Sequence, residues 1–178
     1  INSVLGPIDS ADLGFTLMHE HVMVAASGLS RHYPDLLGQN REQRAIESLQ
    51  RAKAQGIDTF LDATTFDLGR DPELLATVAK GSGVNLINVT GWQLDVTRFL
   101  IGVGINQMAD EFIKDITEGF RGTNIKAGML KCAADVEGVT PPLETMARAV
   151  ARAHLATGVP IMVHSYPTGH VARRQIEI

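Results

Sequence analysis

Polar and apolar positions along this chain switch between two periods in a fixed order. Short, nearly continuous apolar runs lie at about Thr16–Val24, Ile57–Ala63, Val84–Thr90, Ile125–Ala133 and Val159–His164. Runs of that length and composition predict buried strands. Between them, apolar residues recur at helical spacing. One helix is expected from Arg41 to Gln55, with Ile46, Leu49 and Ala52 on one face and Gly56 ending it. Another opens at Asp71-Pro72-Glu73, with Asp as N-cap and Pro at the first position, and closes at Gly83. A third runs from Asn106 to about Phe120 through Met108, Phe112, Ile113 and Ile116, and a fourth from about Leu143 to Thr157, stopped by Gly158. The last is expected around Ala172–Ile178. Residues 25–40, with Gly28, Pro34 and Gly38, show no sustained period and read as a loop with at most a short helical turn.

Strand followed by helix throughout predicts an α/β domain over residues 1–178, with a parallel sheet covered on both faces. An open nucleotide-binding sheet carries a glycine fingerprint between its first strand and helix. None is present here, and Gly102-Val103-Gly104 follows no strand directly. In a parallel barrel the chemistry gathers at the carboxyl ends of the strands. His19, His21, Lys131 and His164 all fall late in their expected strands, which favours a TIM (β/α)8-barrel type. Only about five of the eight βα units are accounted for, since eight would need roughly 280 residues at this repeat. The expectation is that the chain is the N-terminal portion of a longer barrel, or that another chain covers its open edge.

Composition narrows the partners. The 178 residues are 44% hydrophobic and 20% charged, with a formal charge of −4 and no basic run, so no nucleic acid is expected. No apolar stretch approaches the ~20 residues of a membrane span. Cys132 is the single cysteine, which fits a cytoplasmic compartment; the start at Ile1 leaves a cleaved signal peptide open.

The candidate chemistry begins at His19-Glu20-His21. Strand side chains alternate, so both imidazoles face one side and can present themselves to one divalent ion while Glu20 points away. His164 is a third candidate ligand, or a satisfied core histidine. Lys131 lies inside an apolar strand, Ala127-Gly128-Met129-Leu130-Lys131-Cys132-Ala133-Ala134. A buried ammonium is costly. Lys131 therefore snorkels from the strand end, or acts as a base with lowered pKa, or is modified to an anion that bridges two metals. Cys132 points to the opposite face and reads as core. Trp92, after the third strand, either walls an apolar substrate pocket or packs under its loop. His32 reads as a solvated loop residue and His170 as a loop or helix-start residue.

Together these segments resemble the phosphotriesterase family of the amidohydrolase superfamily. The resemblance rests on Gly14-Phe15-Thr16-Leu17-Met18-His19-Glu20-His21, on Lys126-Ala127-Gly128-Met129-Leu130-Lys131, and on Ala156-Thr157-Gly158-Val159-Pro160-Ile161-Met162-Val163-His164-Ser165. It implies a (β/α)8 barrel holding two divalent metal ions, usually Zn, with Mn, Co or Fe as alternatives, and CO2 to carboxylate the lysine. His19 and His21 would bind the more buried metal, Lys131 would bridge both and serve catalysis, and His164 would bind the more exposed one. The implied reaction is hydrolysis of a small-molecule ester, lactone or organophosphate by a metal-bridging hydroxide, in a homo-oligomer such as a dimer. Leu130-Lys131-Cys132-Ala133-Ala134-Asp135 with Gly138 and Thr140 is more similar to the lactonase-like branch. The family's further histidine from the sixth strand and aspartate from the eighth have no counterpart here. The competing expectation is a non-catalytic metal-binding or self-associating half-barrel.

Overall fold

The computed structural model describes residues 1–178. Two antiparallel two-residue strands, β1 (Asn2–Ser3) and β2 (Gly6–Pro7), form a small hairpin ahead of the main sheet. The sheet then takes β3 (Thr16–Glu20), β4 (Thr59–Asp62), β5 (Asn85–Gly91), β6 (Met129–Ala134) and β7 (Ile161–Ser165), side by side in sequence order and parallel throughout. Helix α1 (Leu29–His32) is the short turn of the first loop. Helices α2 (Arg41–Ala54), α3 (Pro72–Ser82), α4 (Ile105–Thr117) and α5 (Pro141–Thr157) are the crossovers, and α6 (Val171–Ile176) follows β7. This is the arc of five βα units expected of a partial TIM barrel. No helix is long and apolar enough to cross a membrane.

Local signals set the helix ends. Asp71 accepts the backbone N–H of Leu74 at 3.0 Å, and Pro72 occupies the first turn of α3, where its missing N–H costs nothing. Gly83 and Gly158 take the left-handed conformation at the ends of α3 and α5.

The first strand stops at Glu20 and not at Val24. The N–H of Val22 leaves the ladder for the carboxylate of Asp62 at 2.8 Å, and that of Ala25 goes to the carbonyl of Leu68. The fourth strand of the main sheet starts at Met129 and not at Ile125. The chain before it closes a turn, with Phe120 N–H on Ile125 O and Ala127 N–H on Asp115 O. The first difference arises because distant partners claim backbone groups that composition alone assigns to a strand, the second because a tight turn and the end of α4 claim them.

Alternation sorts the side chains into two layers. Facing the helices, Leu130 and Cys132 pack with Met108, Phe112, Met146 and Val150, while Phe60 and Leu86 pack with Leu49, Leu75 and Val78. Each fully buried side chain of this size stabilises by roughly 1.5–3 kcal/mol. On the concave side Leu61, Ile87 and Val89 meet Leu13, Met129 and Met162. The hairpin closes the amino-terminal end of the sheet. Val4 is buried and donates to Leu86 O at 2.9 Å, and the Asn2 amide donates to Ala127 O at 3.0 Å. A Cβ on Gly128 would lie 2.2 Å from Asn2 O, so only glycine admits this approach.

Coverage of both sheet faces holds in the middle strands but not at the edges. On β3, Met18 is 53% exposed, and on β7, Val163 is 44% exposed.

Candidate metal centre

The concave face carries the titratable side chains. Lys131 shares its face with Met129, so it points inward, while its neighbour Cys132 is buried among the helix-facing side chains as expected. The lysine is 0% exposed, and its Nζ lies 3.3 Å from His19 Nε2. Gly91 ends β5 directly beside it. A Cβ there would sit 2.0 Å from Lys131 O, and the Trp92 N–H bonds that carbonyl at 3.0 Å, so glycine is what lets β5 close on β6.

His19 and His164 come from opposite edges of a sheet five strands wide. In a flat sheet, four strand spacings would separate them by about 19 Å. Their ring centroids are 6.2 Å apart, and those of His19 and His21 are 5.8 Å apart. The sheet is therefore strongly curled, and its concavity gathers the rings. His21 lies one residue beyond β3, after a register irregularity between Leu17 and Glu20, yet its ring remains beside that of His19.

The electrostatics suit neutral nitrogen donors. Burial, followed by the Lys131 charge, holds His19 and His21 below the ordinary imidazole range. Burial likewise pushes the Lys131 ammonium down to about 8. No three His, Cys, Asp or Glu side chains converge by themselves on one metal position. The donor set becomes adequate only when Lys131 is counted, and an ammonium cannot ligate. Two rings that share an ion at ~2.0–2.1 Å sit roughly 5–6 Å apart, which the 5.8 Å between His19 and His21 matches. The residues therefore fit a metal centre only on the condition that the lysine is converted to an anionic ligand.

Residues that sequence reasoning passed over hold His21 and the loops around the sheet in place. His21 Nδ1 is 2.9 Å from the hydroxyl of Thr64, which donates to Asp62 at 3.0 Å. Desolvation raises the Asp62 carboxyl to about 6, against the opposing hydrogen bonds from Val22 and Thr64. Asp67 accepts the successive N–H groups of Gln93, Leu94 and Asp95 at 2.9–3.1 Å and so fixes the loop after β5. Arg70 donates to Val89 O, lies 3.4 Å from Asp115 and stacks 4.1 Å from the centroid of Phe120. The available signal was polar residues clustered at a buried strand end, in Asp62-Ala63-Thr64-Thr65-Phe66-Asp67.

Trp92 is placed in the core under its loop. It is 4% exposed among Met108 and Phe112, donates its indole N–H to Asp95 O, and its ring is 5.5 Å from Phe66. His32 is exposed, and His170 is the N-cap of α6. A cavity of about 420 Å³ opens at the carboxyl end of β7, lined by Ser165, Tyr166 and His170 among others. Another, of about 430 Å³, lies on the helix-facing side of β3 between Val22, Phe60, Arg41 and Leu49, and reaches the cluster only at His21.

Comparison with known proteins covers the same span. The model of the phosphotriesterase family matches residues 1–178. A phosphotriesterase homology protein of Mycobacterium tuberculosis (strain ATCC 25618 / H37Rv) is 42% identical over 177 residues, covering 93% of this chain and 54% of the relative. An aryldialkylphosphatase of Saccharolobus solfataricus is 40% identical over 161 residues, covering 89% and 51%. An N-acetyltaurine hydrolase of Rattus norvegicus is 27% identical, covering 92% and 56%. The chain thus spans about half the length of the curated relatives it matches.

Proposed function

The chain belongs to the phosphotriesterase family, and from that premise we propose that it carries the metal-holding half of a hydrolase acting on phosphotriester, lactone or carboxylic ester bonds. The observation that carries this reading is Lys131, fully buried, 3.3 Å from His19, in a cup shared with His21 and His164.

His19 and His21 would hold one divalent ion, His164 a second, and Lys131 both, with zinc the first expectation and Mn, Co or Fe alternatives. Bound ions supply the Lewis acidity and activated water that ester hydrolysis requires. The chain's own part is preparation. An amine with pKa near 8 is neutral in about a tenth of molecules at pH 7. Its Nζ lone pair can then attack the carbon of CO2, forming an N–C bond and releasing a proton to leave an anionic carbamate. The low pKa of the flanking imidazoles keeps them neutral at that pH, which is the form that ligates.

Names of relatives weigh toward ester chemistry, since the aryldialkylphosphatase is nearer in sequence than the N-acetyltaurine hydrolase.

The direct experiment loads the chain with zinc or cobalt in bicarbonate, then measures metal per chain and hydrolysis of a paraoxon-like ester, an aryl ester and a lactone. Metal uptake that depends on bicarbonate and is lost in Lys131→Ala is expected. Uptake unchanged in Lys131→Ala would overturn the bridging role, and no uptake at all would overturn the reading.

A further inference from the structure

His21 is bracketed by a single carboxylate. Asp62, 1% exposed at the end of β4, accepts the N–H of Val22, the residue after His21, at 2.8 Å. The same oxygen, Oδ1, accepts the hydroxyl of Thr64 at 3.0 Å, and that hydroxyl oxygen is 2.9 Å from His21 Nδ1. Thr64 is 2% exposed, so water does not compete for its hydroxyl. A threonine hydroxyl has one proton. With that proton given to Asp62, the oxygen can only accept from the ring.

We propose that Thr64 and Asp62 are positioning residues that hold His21 as its Nδ1–H tautomer, leaving Nε2 as the free donor atom. The proposal deepens the metal-centre reading and rests on it for its consequence, though not for its geometry. His19 offers a contrast: its partner is Lys131, another member of the cluster, so nothing outside the cluster sets its tautomer there. Neither Asp62 nor Thr64 is a ligand candidate. They act through His21 alone, fixing the ring from one side and the backbone just after it from the other. A polar partner on the far nitrogen of a ligating histidine is commonly worth 10–100-fold in metal affinity.

The test uses the metal-free chain with 15N-labelled histidine, read by two-bond proton–nitrogen correlation at slightly alkaline pH. Loss of one spin system in His21→Gln assigns the ring. His21 is expected to be protonated at Nδ1 in the parent chain and in Thr64→Ser, and to shift toward the Nε2–H form in Thr64→Val. Zinc affinity, from competition with a chelating dye, should fall about 10-fold or more in Thr64→Val and within about twofold of the parent in Thr64→Ser. An Nε2–H ring in the parent chain would overturn the proposal without any variant having to fold. So would a Thr64→Val chain with unchanged tautomer. An Nδ1–H ring in a parent chain that takes up no zinc would uphold the relay and sink the metal reading instead.

Discussion

The middle of the sheet and its two edges use similar apolar strands but meet solvent differently. In β5 and β6, Leu86, Asn88, Val89, Leu130 and Lys131 are all fully buried, whereas β3 and β7 leave Met18 and Val163 half in water. The candidate ligands divide along the same line. The lysine is contributed by the closed centre and its proton affinity is already lowered; the histidines come from the edges and stay partly wet. The difference teaches that burial acts most strongly on the lysine and more weakly on His19 and His21, while curvature brings the histidines in from the edges.

That contrast is open to attack first at Lys131. Lys131→Met removes a charge whose burial moves its pKa from 10.5 to about 8, a penalty on the order of 3 kcal/mol. The metal-free chain should become roughly 1–3 kcal/mol more stable at pH 7 in urea melts. Its metal content should meanwhile drop from about two ions per chain to one or none. Gain and loss in opposite directions identify a residue kept for the site and not for the fold.

Beside it, Asp115→Ala leaves the Arg70 guanidinium of the sheet centre without its carboxylate partner and removes the acceptor of Thr90. The pair is partly buried, with side chains 13% and 19% exposed, so the change should cost about 1–3 kcal/mol, less than the loss of a fully buried pair. A urea midpoint hardly moved by this change would show that the centre is less closed than its burial suggests.

Acid titration probes the border between the regions, where Asp62 ties the end of β4 to the segment after β3. Its folded pKa of about 6 exceeds the usual 3.8, so the folded chain keeps a proton that the unfolded chain has released. The stabilisation is complete below about pH 4 and is lost as pH rises through about 6, a swing of about 3 kcal/mol. Asp62→Asn should flatten that part of the pH profile of the metal-free chain.

Smallest is the effect at the edge itself. Val163→Lys, at a half-exposed position, should alter stability by less than about 0.5 kcal/mol. If edges meet in solution, it should also lower the mass seen by light scattering. A large loss of stability would mean that the edge is packed after all.

Much of the architecture was legible from the chain. The helix-capping residues Asp71, Pro72, Gly83 and Gly158 are local, and they stand where the pattern placed them. The inward aim of Lys131 and the outward aim of Cys132 follow from strand alternation. What escaped the sequence has non-local causes. The strand before Val22 ends early because Asp62, forty residues away, takes the N–H. The hairpin around Val4 looks like a lead-in until it is seen donating to Leu86 across the end of the sheet. Thr64 offered no signal of its own, since a threonine after a strand is ordinary until a histidine ring lies 2.9 Å away.

By itself the sequence determined the order of strands and helices and the parallel sheet, and it singled out His19, His21, Lys131 and His164 as candidate ligands. It could do so because period, capping and alternation act over a few residues. Only the tertiary structure decided that these positions form one cluster. Rings from opposite edges meet at 6.2 Å because the sheet curls, and Lys131 loses proton affinity because neighbouring strands and loops dry it. The same structure set the tilt of the balance at Trp92 toward packing and supplied Thr64 and Asp62 as the support of His21. Curvature, desolvation and hydrogen bonds between distant segments are properties of the assembled chain, and no local pattern encodes them.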